Sequence, residues 1–237
     1  KQEIQENITQ GIRKIGNFQK PNGGLSYWLG EDEISDWGTS YAGHFMLEAE
    51  KKGFVLPLTF KTNFIAYQKQ VARNWRPSYN TYLGDLEQAY RLYTLALANN
   101  PDLSAMNRLR EFTALSNDAK WRLAAAYVLV GQKEASDAIL KNAKFDFSES
   151  DYYNYGSNTR NAAMALETML LTNNKNTKEL ATSIAKDLSS NQWMSTQTTA
   201  FSLLAIGKMV EKNGGKSLKI TLTNGEKSEK IDTKSSL

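Results

Sequence analysis

Cysteine is missing from all 237 residues, which rules out disulfides, thiolate metal sites, cysteine nucleophiles and a cysteine-based thioester within them. Histidine is nearly missing too. His44 stands alone, so a histidine-rich metal site or a Ser-His-Asp triad with a spare base has nothing to be built from. No apolar run reaches the roughly 18 residues that a membrane-crossing helix needs, and no signal-peptide pattern is present. The 29 basic and 25 acidic residues behind the net charge of +4 are spread over the whole length. Without a dense Lys/Arg block interleaved with aromatics, nucleic acid is not an expected partner, nor is membrane contact by these residues. No Gly-rich phosphate cradle occurs, because Gly23-Gly24 lacks the following Lys and spacing.

What is present is a normal globular composition, 41% hydrophobic and 23% charged, arranged in a repeating order. Residues 2–16 carry Ile4, Ile8, Ile12 and Ile15, a single apolar stripe at helical spacing. A helix from Asp36, whose side chain is expected to cap it, to Gly53 has a wide apolar surface with Trp37, Tyr41, Phe45 and Met46. Residues 58–75 return to one stripe, Phe60, Phe64, Tyr67 and Val71, and residues 80–98 are broad again. The same alternation continues with 104–115 (Leu109, Phe112, Leu115), 118–130 (apolar nearly all round), 132–141 (Ala135, Ala138, Ile139), 158–172, 177–189 (Leu180, Ile184, Leu188) and 196–212.

A helix apolar on most of its circumference must be covered on most sides, whereas one with a single stripe lies on an outer layer. About five such pairs in strict alternation predict an all-α chain, an α/α toroid of alternating outer and inner helices over residues 1–213. A superhelical solenoid of the same pairs has the same local pattern, and ring closure alone separates the two. After Asn213-Gly214-Gly215 the pattern changes to period two in Ser217 to Thr223. Asn224-Gly225 then signals a tight turn and Glu226 to Asp232 the returning strand. Residues 214–237 therefore read as a short C-terminal β-hairpin, the start of a following β domain. The opening Lys1-Gln2-Glu3-Ile4-Gln5, in mid-helix and without Met, is expected to belong to a longer protein.

The connections that enter inner helices include two long aromatic segments, residues 17–35 and 142–157. Loops positioned by a rigid scaffold are where binding concentrates, so Tyr27, Trp28, Glu31, Asp32, Glu33, Tyr152, Tyr153 and Tyr155 are the candidate binding residues. Catalytic and metal-ligating residues are not assigned. His44 with Glu48 four residues on has the makings of a polarised base, but a helix histidine satisfied by a neighbour is the plainer account. Glu31, Asp32, Glu33 and Asp36 beside aromatics are the ingredients of a glycosidase. Acidic residues at a helix start also favour the positive end of its dipole, as with Asp85 and Glu87. The acidic run lacks the spacing of a calcium loop. Arg160 and Gln197, where inner helices begin, are expected to bond loop carbonyls.

Four segments occur in a set order: Gly23-Gly24-Leu25-Ser26-Tyr27-Trp28, Trp37-Gly38-Thr39-Ser40-Tyr41-Ala42-Gly43-His44-Phe45-Met46-Leu47-Glu48-Ala49, Tyr155-Gly156-Ser157-Asn158-Thr159-Arg160-Asn161-Ala162-Ala163 and Trp193-Met194-Ser195-Thr196-Gln197-Thr198-Thr199-Ala200. Together they resemble the thioester-type α/α-toroid domain of bacterial α2-macroglobulins, over essentially residues 1–212. The resemblance implies a fragment of an envelope endopeptidase inhibitor, a secreted protein or lipoprotein that entraps proteases. Its expected partners are proteases, met through the full-length protein, and other domains of the same parent chain. Thioester-bearing members use a Cys-x-Glu-Gln motif, which finds no counterpart here. The implied role is non-catalytic, with no cofactor. The rivals are an α/α-toroid enzyme acting on polysaccharide and a helical solenoid binding scaffold.

Overall fold

The computed structural model describes residues 2–77, 84–147, 155–213, 218–224 and 227–233. Its helices are α1 (Gln2–Gly16), α2 (Asp36–Lys51), α3 (Phe60–Asn74), α4 (Gly84–Leu97), α5 (Leu103–Arg110), α6 (Asn117–Leu129), α7 (Lys133–Leu140), α8 (Asn158–Leu171), α9 (Thr177–Leu188) and α10 (Thr196–Lys212). Strands β1 (Leu218–Asn224) and β2 (Lys227–Thr233) pair antiparallel, with Ile220 opposite Ile231 and Asn224 opposite Lys227. This is the hairpin expected around Asn224-Gly225. The chain divides into two compact units, Lys1–Asp146 and Phe147–Leu237.

In the first unit the alternation in the sequence becomes an alternation in burial. From Asp85 to Leu97 of α4 only Glu87 escapes full burial, and α6 is buried continuously from Asp118 to Tyr127 apart from Lys120. The single-striped helices bury far less, Ile12 on α1 and Ser136 and Ile139 on α7. Ile4 of the predicted α1 stripe is exposed.

Three local expectations are corrected. The residue that caps α2 is Ser35, whose hydroxyl accepts from the Gly38 amide at 3.0 Å; Asp36 is the first helical residue and its carboxylate is used elsewhere. On α3 the buried row is Phe60, Phe64, Gln68 and Ala72, with Tyr67 and Val71 half-buried. A glutamine takes an inside position because its amide is satisfied there, donating to Ser40 Oγ at 2.9 Å and accepting from Arg91 Nε at 3.2 Å. Finally, α5 ends at Arg110 and does not continue to Leu115, because the next helix needs Ser116 in an extended conformation (φ -63°, ψ 160°) to cap Ala119.

Arg91, 1% exposed, is the hub of this unit. Besides Gln68 it donates to Gln88 Oε1 at 2.6 Å and lies 3.1 Å from Asp36 Oδ2. Burying a guanidinium costs several kcal/mol unless its charge and donors are met, and these partners come from α2, α3 and α4 together. Arg122 lies over the Tyr93 ring at 4.3 Å and the Tyr90 ring at 5.4 Å. Its charge is thereby placed against two aromatic faces.

In the second unit α8 is buried from Arg160 to Leu170 and α9 covers it with Ala181 and Ile184. The starts of α8 and α10 lie side by side: Ser157 Oγ is 2.7 Å from Thr198 Oγ1, which is itself 2.9 Å from Ser195 Oγ. Farther along, buried Glu167 accepts from Lys208 Nζ at 2.5 Å, and Lys212 donates to the Leu170 carbonyl.

Candidate functional site

Residues 17–35 are a loop built to hold its shape. Its base is clamped: the Leu25 amide donates to Thr39 Oγ1 at 2.9 Å, the Ser35 amide donates to the Leu25 carbonyl, and isolated bridges pair Gln19 with Leu25 and Ser26 with Ile34. The Gln19 side-chain amide donates to the carbonyls of Gly23 and, on α3, Phe60. Gly23 has φ +95°, and a Cβ there would lie 2.0 Å from the Asn63 carbonyl oxygen. No other residue type fits both that dihedral and that approach.

From this clamped base the aromatic tip projects. Tyr27 is 43% exposed, Trp28 63% and Leu29 67%. The two rings meet edge to face at 5.3 Å, and Ser26 Oγ donates to the Trp28 carbonyl at 2.9 Å. Glu31, Asp32 and Glu33 follow, all exposed, with Lys20 Nζ 3.8 Å from Asp32. Asp36 does not join this acidic group: it accepts from the Tyr67 hydroxyl at 2.7 Å and pairs with Arg91. Burial, and then donation to Asp36, push the Tyr67 hydroxyl well above its ordinary pKa. Likewise burial, then the neighbouring Tyr27, raise the Tyr41 hydroxyl.

Of the other candidates, Tyr152 and Tyr153 lie outside the described residues. Tyr155 is half exposed with φ +55°, an unfavourable dihedral for a bulky residue, and its carbonyl accepts from Ser195 Oγ at 3.4 Å. His44 is buried, with Nδ1 3.1 Å from the Tyr90 hydroxyl and Nε2 3.6 Å from Glu48. The Tyr90 contact matches the plain reading of a helix histidine satisfied by a neighbour at Nδ1, while Nε2 faces Glu48 beyond hydrogen-bond distance. Asp85 bonds the Leu86 amide at 2.8 Å and the Ser116 amide at 2.6 Å, so its carboxylate ties the start of α4 to the cap of α6. Arg160 donates to the Asn161 side chain through Nε and Nη2.

Two exposed side chains were missed from the sequence. Leu29 was overlooked because a single leucine in a loop carries no periodic signal. Trp193, 85% exposed in the turn before α10, stands beside the Ser195 cap and in the sequence falls within the last of the four ordered segments. A tryptophan among polar turn residues was the available signal.

No protein-family model matches the chain, and no curated protein matches it. Solved structures do. In class the chain is an α/α-toroid fold of alternating helical hairpins, which bears out the architecture expected from the two kinds of stripe. More narrowly, that fold is shared with bacterial α2-macroglobulins, as the four ordered segments suggest. Over 98% of this chain and 15% of the other, the native conformation of Escherichia coli alpha-2-macroglobulin superposes with a TM-score of 0.78 at 19% identity. The same protein activated by porcine elastase gives 0.74 at 20% identity over 98% of this chain and 22% of that one. Salmonella alpha-2-macroglobulin reacted with methylamine gives 0.73 at 20% identity over 93% and 15%. The chain thus spans 15–22% of the length of these chains, and at such identity the likeness is one of fold.

Proposed function

We propose that the chain is a non-catalytic structural and interaction segment of a bacterial protease-entrapping protein of the α2-macroglobulin kind. The observation that carries this reading is the fold match over 98% of the chain to a protein solved in a form activated by porcine elastase. Residues 1–213 act as the toroid module and 214–237 open a β domain that follows it. The partners are a captured protease, engaged by the whole parent protein, and the parent's other domains. The parent works in the periplasm or anchored to the cell envelope, as a secreted protein or lipoprotein. Among the described residues no helix is long and apolar enough to cross a membrane. Recognition falls to Tyr27, Trp28, Glu31, Asp32, Glu33, Tyr152, Tyr153 and Tyr155. The glycosidase reading is disfavoured because Asp36 is committed to Tyr67 and Arg91.

The test uses the full-length parent with porcine elastase. After mixing, the protease is expected to keep its activity on a small peptide substrate and lose it on a folded protein substrate, with the complex migrating as one species in a native gel. Equal loss on both substrates, or no loss on either, would overturn the proposal. So would turnover of a glycan by the isolated chain that disappears when Glu31, Asp32, Glu33 and Asp36 are replaced.

A further inference from the structure

We propose that Tyr27, Trp28 and Leu29 form a rigid anchor that inserts into an apolar pocket rimmed by Lys and Arg side chains on a partner protein. The inference deepens the reading above in its choice of loop, and adds Leu29, the mode of contact and the chemistry of the partner.

Three consecutive large apolar side chains stand in solvent here, at 43%, 63% and 67% exposure. Loop tips that serve only as connections are polar, because water-exposed apolar area contributes nothing to folding. Flexibility does not account for the exposure. The bridges at Gln19 with Leu25 and Ser26 with Ile34, the Thr39 contact to Leu25 and the Ser26 bond to the Trp28 carbonyl fix the tip from below. The Glu31 amide donates back to the Trp28 carbonyl at 3.4 Å, closing the turn. A tip so ordered loses little conformational freedom on binding, the condition under which an exposed Trp becomes a dominant contact.

Charge selects the partner. One glycine beyond the apolar triplet come Glu31, Asp32 and Glu33, all exposed. They make an acidic rim on a chain whose net charge is +4. A surface with basic residues around an apolar centre is complementary to that arrangement and is steered toward it.

Leu29 decides between a protein and a glycan. Sugar platforms use the flat face of an aromatic ring with polar neighbours for the hydroxyls. Here the most exposed member of the triplet is aliphatic, and Tyr27 meets Trp28 edge to face at 74°. That shape fills a pocket better than it stacks on a ring.

The experiment titrates the 237-residue chain with a synthetic peptide of alternating Leu and Lys, its Leu/Glu counterpart and a β-1,4-linked glucose oligomer, reading the Trp28 fluorescence as the difference from Trp28→Phe. The Leu/Lys peptide is expected to bind saturably, with Trp28 emission moving to shorter wavelength. Trp28→Ala weakens binding about thirtyfold and Leu29→Ala about fivefold. The combined Glu31→Gln, Asp32→Asn and Glu33→Gln variant weakens it about tenfold and flattens its salt dependence. All these side chains are exposed, and unchanged far-ultraviolet circular dichroism verifies folding. Equal binding of the Leu/Glu peptide, binding of the glucose oligomer alone, no saturable binding of any probe, or full affinity in Trp28→Ala each overturns the proposal. Because no protease is used, failure here leaves the entrapment reading standing, and failure of the elastase test leaves the anchor standing.

Discussion

In α4 the run from Asp85 to Leu97 is buried apart from Glu87, whereas α10 buries only Gln197, Thr198, Phe201, Ser202 and Ala205. The start of α10 is of one kind with those of α2, α6 and α8. Serine caps α2, α6, α8 and α10 in one way, each hydroxyl accepting from the amide three residues on: Gly38, Ala119, Arg160 and Thr198. What differs is the sides. Within its unit α4 packs against α2, α3, α5 and α6, while α10 packs chiefly against α8 and α9. Apolar content therefore sets how much a helix is able to bury, and its neighbours set how much it does bury. Leu203, 59% exposed on α10, is the clearest instance.

The largest test of that contrast is a pair of leucine truncations. Leu95→Ala on α4 removes a fully buried side chain among fixed neighbours. It is expected to cost about 2–5 kcal/mol in chemical denaturation. Leu203→Ala should change stability by less than about 0.5 kcal/mol, as for other surface substitutions. Similar costs at both positions would break the contrast.

Glycine gives a second pair with opposite signs. A Cβ on Gly43 of α2 would lie 2.2 Å from the Phe64 ring, while one on Gly207 of α10 meets nothing within 4 Å. Gly43→Ala should destabilise by about 1–3 kcal/mol through overpacking. By contrast, Gly207→Ala should stabilise by about 0.5–1 kcal/mol, because alanine removes the entropic penalty of glycine without a clash. Thermal unfolding of the two variants measures both; a loss at Gly207 would mean that its side of α10 is less open than it looks.

Most of the fold was legible because burial follows stripe width. Nothing subtler is needed to predict ten helices in alternating order and a hairpin at Asn224-Gly225. Two of the misreadings share one cause, a polar residue in the role assigned to an apolar or acidic one. Gln68 displaced Tyr67 and Val71 from the inside of α3 because Ser40 and Arg91 satisfy its amide. Asp36 looked like a cap and a possible acid/base partner, yet Ser35 caps and Asp36 serves Tyr67 and Arg91. Such pairings lie 23 to 55 positions apart in the chain, beyond what periodicity carries. The candidate loop was legible in its composition, through Tyr27, Trp28 and the acidic run. Its rigidity was not, since this depends on contacts of Gly23 and Gln19 with α3.

A last contrast separates two kinds of helix start by pH. The α5 helix is capped by a charged group: Asp102 Oδ1 accepts from the Ala105 amide at 3.0 Å and its Oδ2 from Arg73 Nε at 2.7 Å. Burial pushes the Asp102 carboxyl up, but the Ala105 amide and the Arg73 guanidinium outweigh it and hold it below its usual value. A carboxyl with a depressed folded pKa binds protons more readily when unfolded. Its contribution is therefore present above its unfolded value and disappears as pH falls through the folded one. Asp102→Asn keeps a capping oxygen and removes the charge, so it should cost about 1 kcal/mol at neutral pH and nothing once both states are protonated. Ser195→Ala on α10 removes an uncharged cap and should cost about 1 kcal/mol at neutral and acid pH alike. Denaturation of both variants across the acid range measures this: parallel curves would mean that Arg73, largely in solvent at 65% side-chain exposure, adds nothing to the α5 cap.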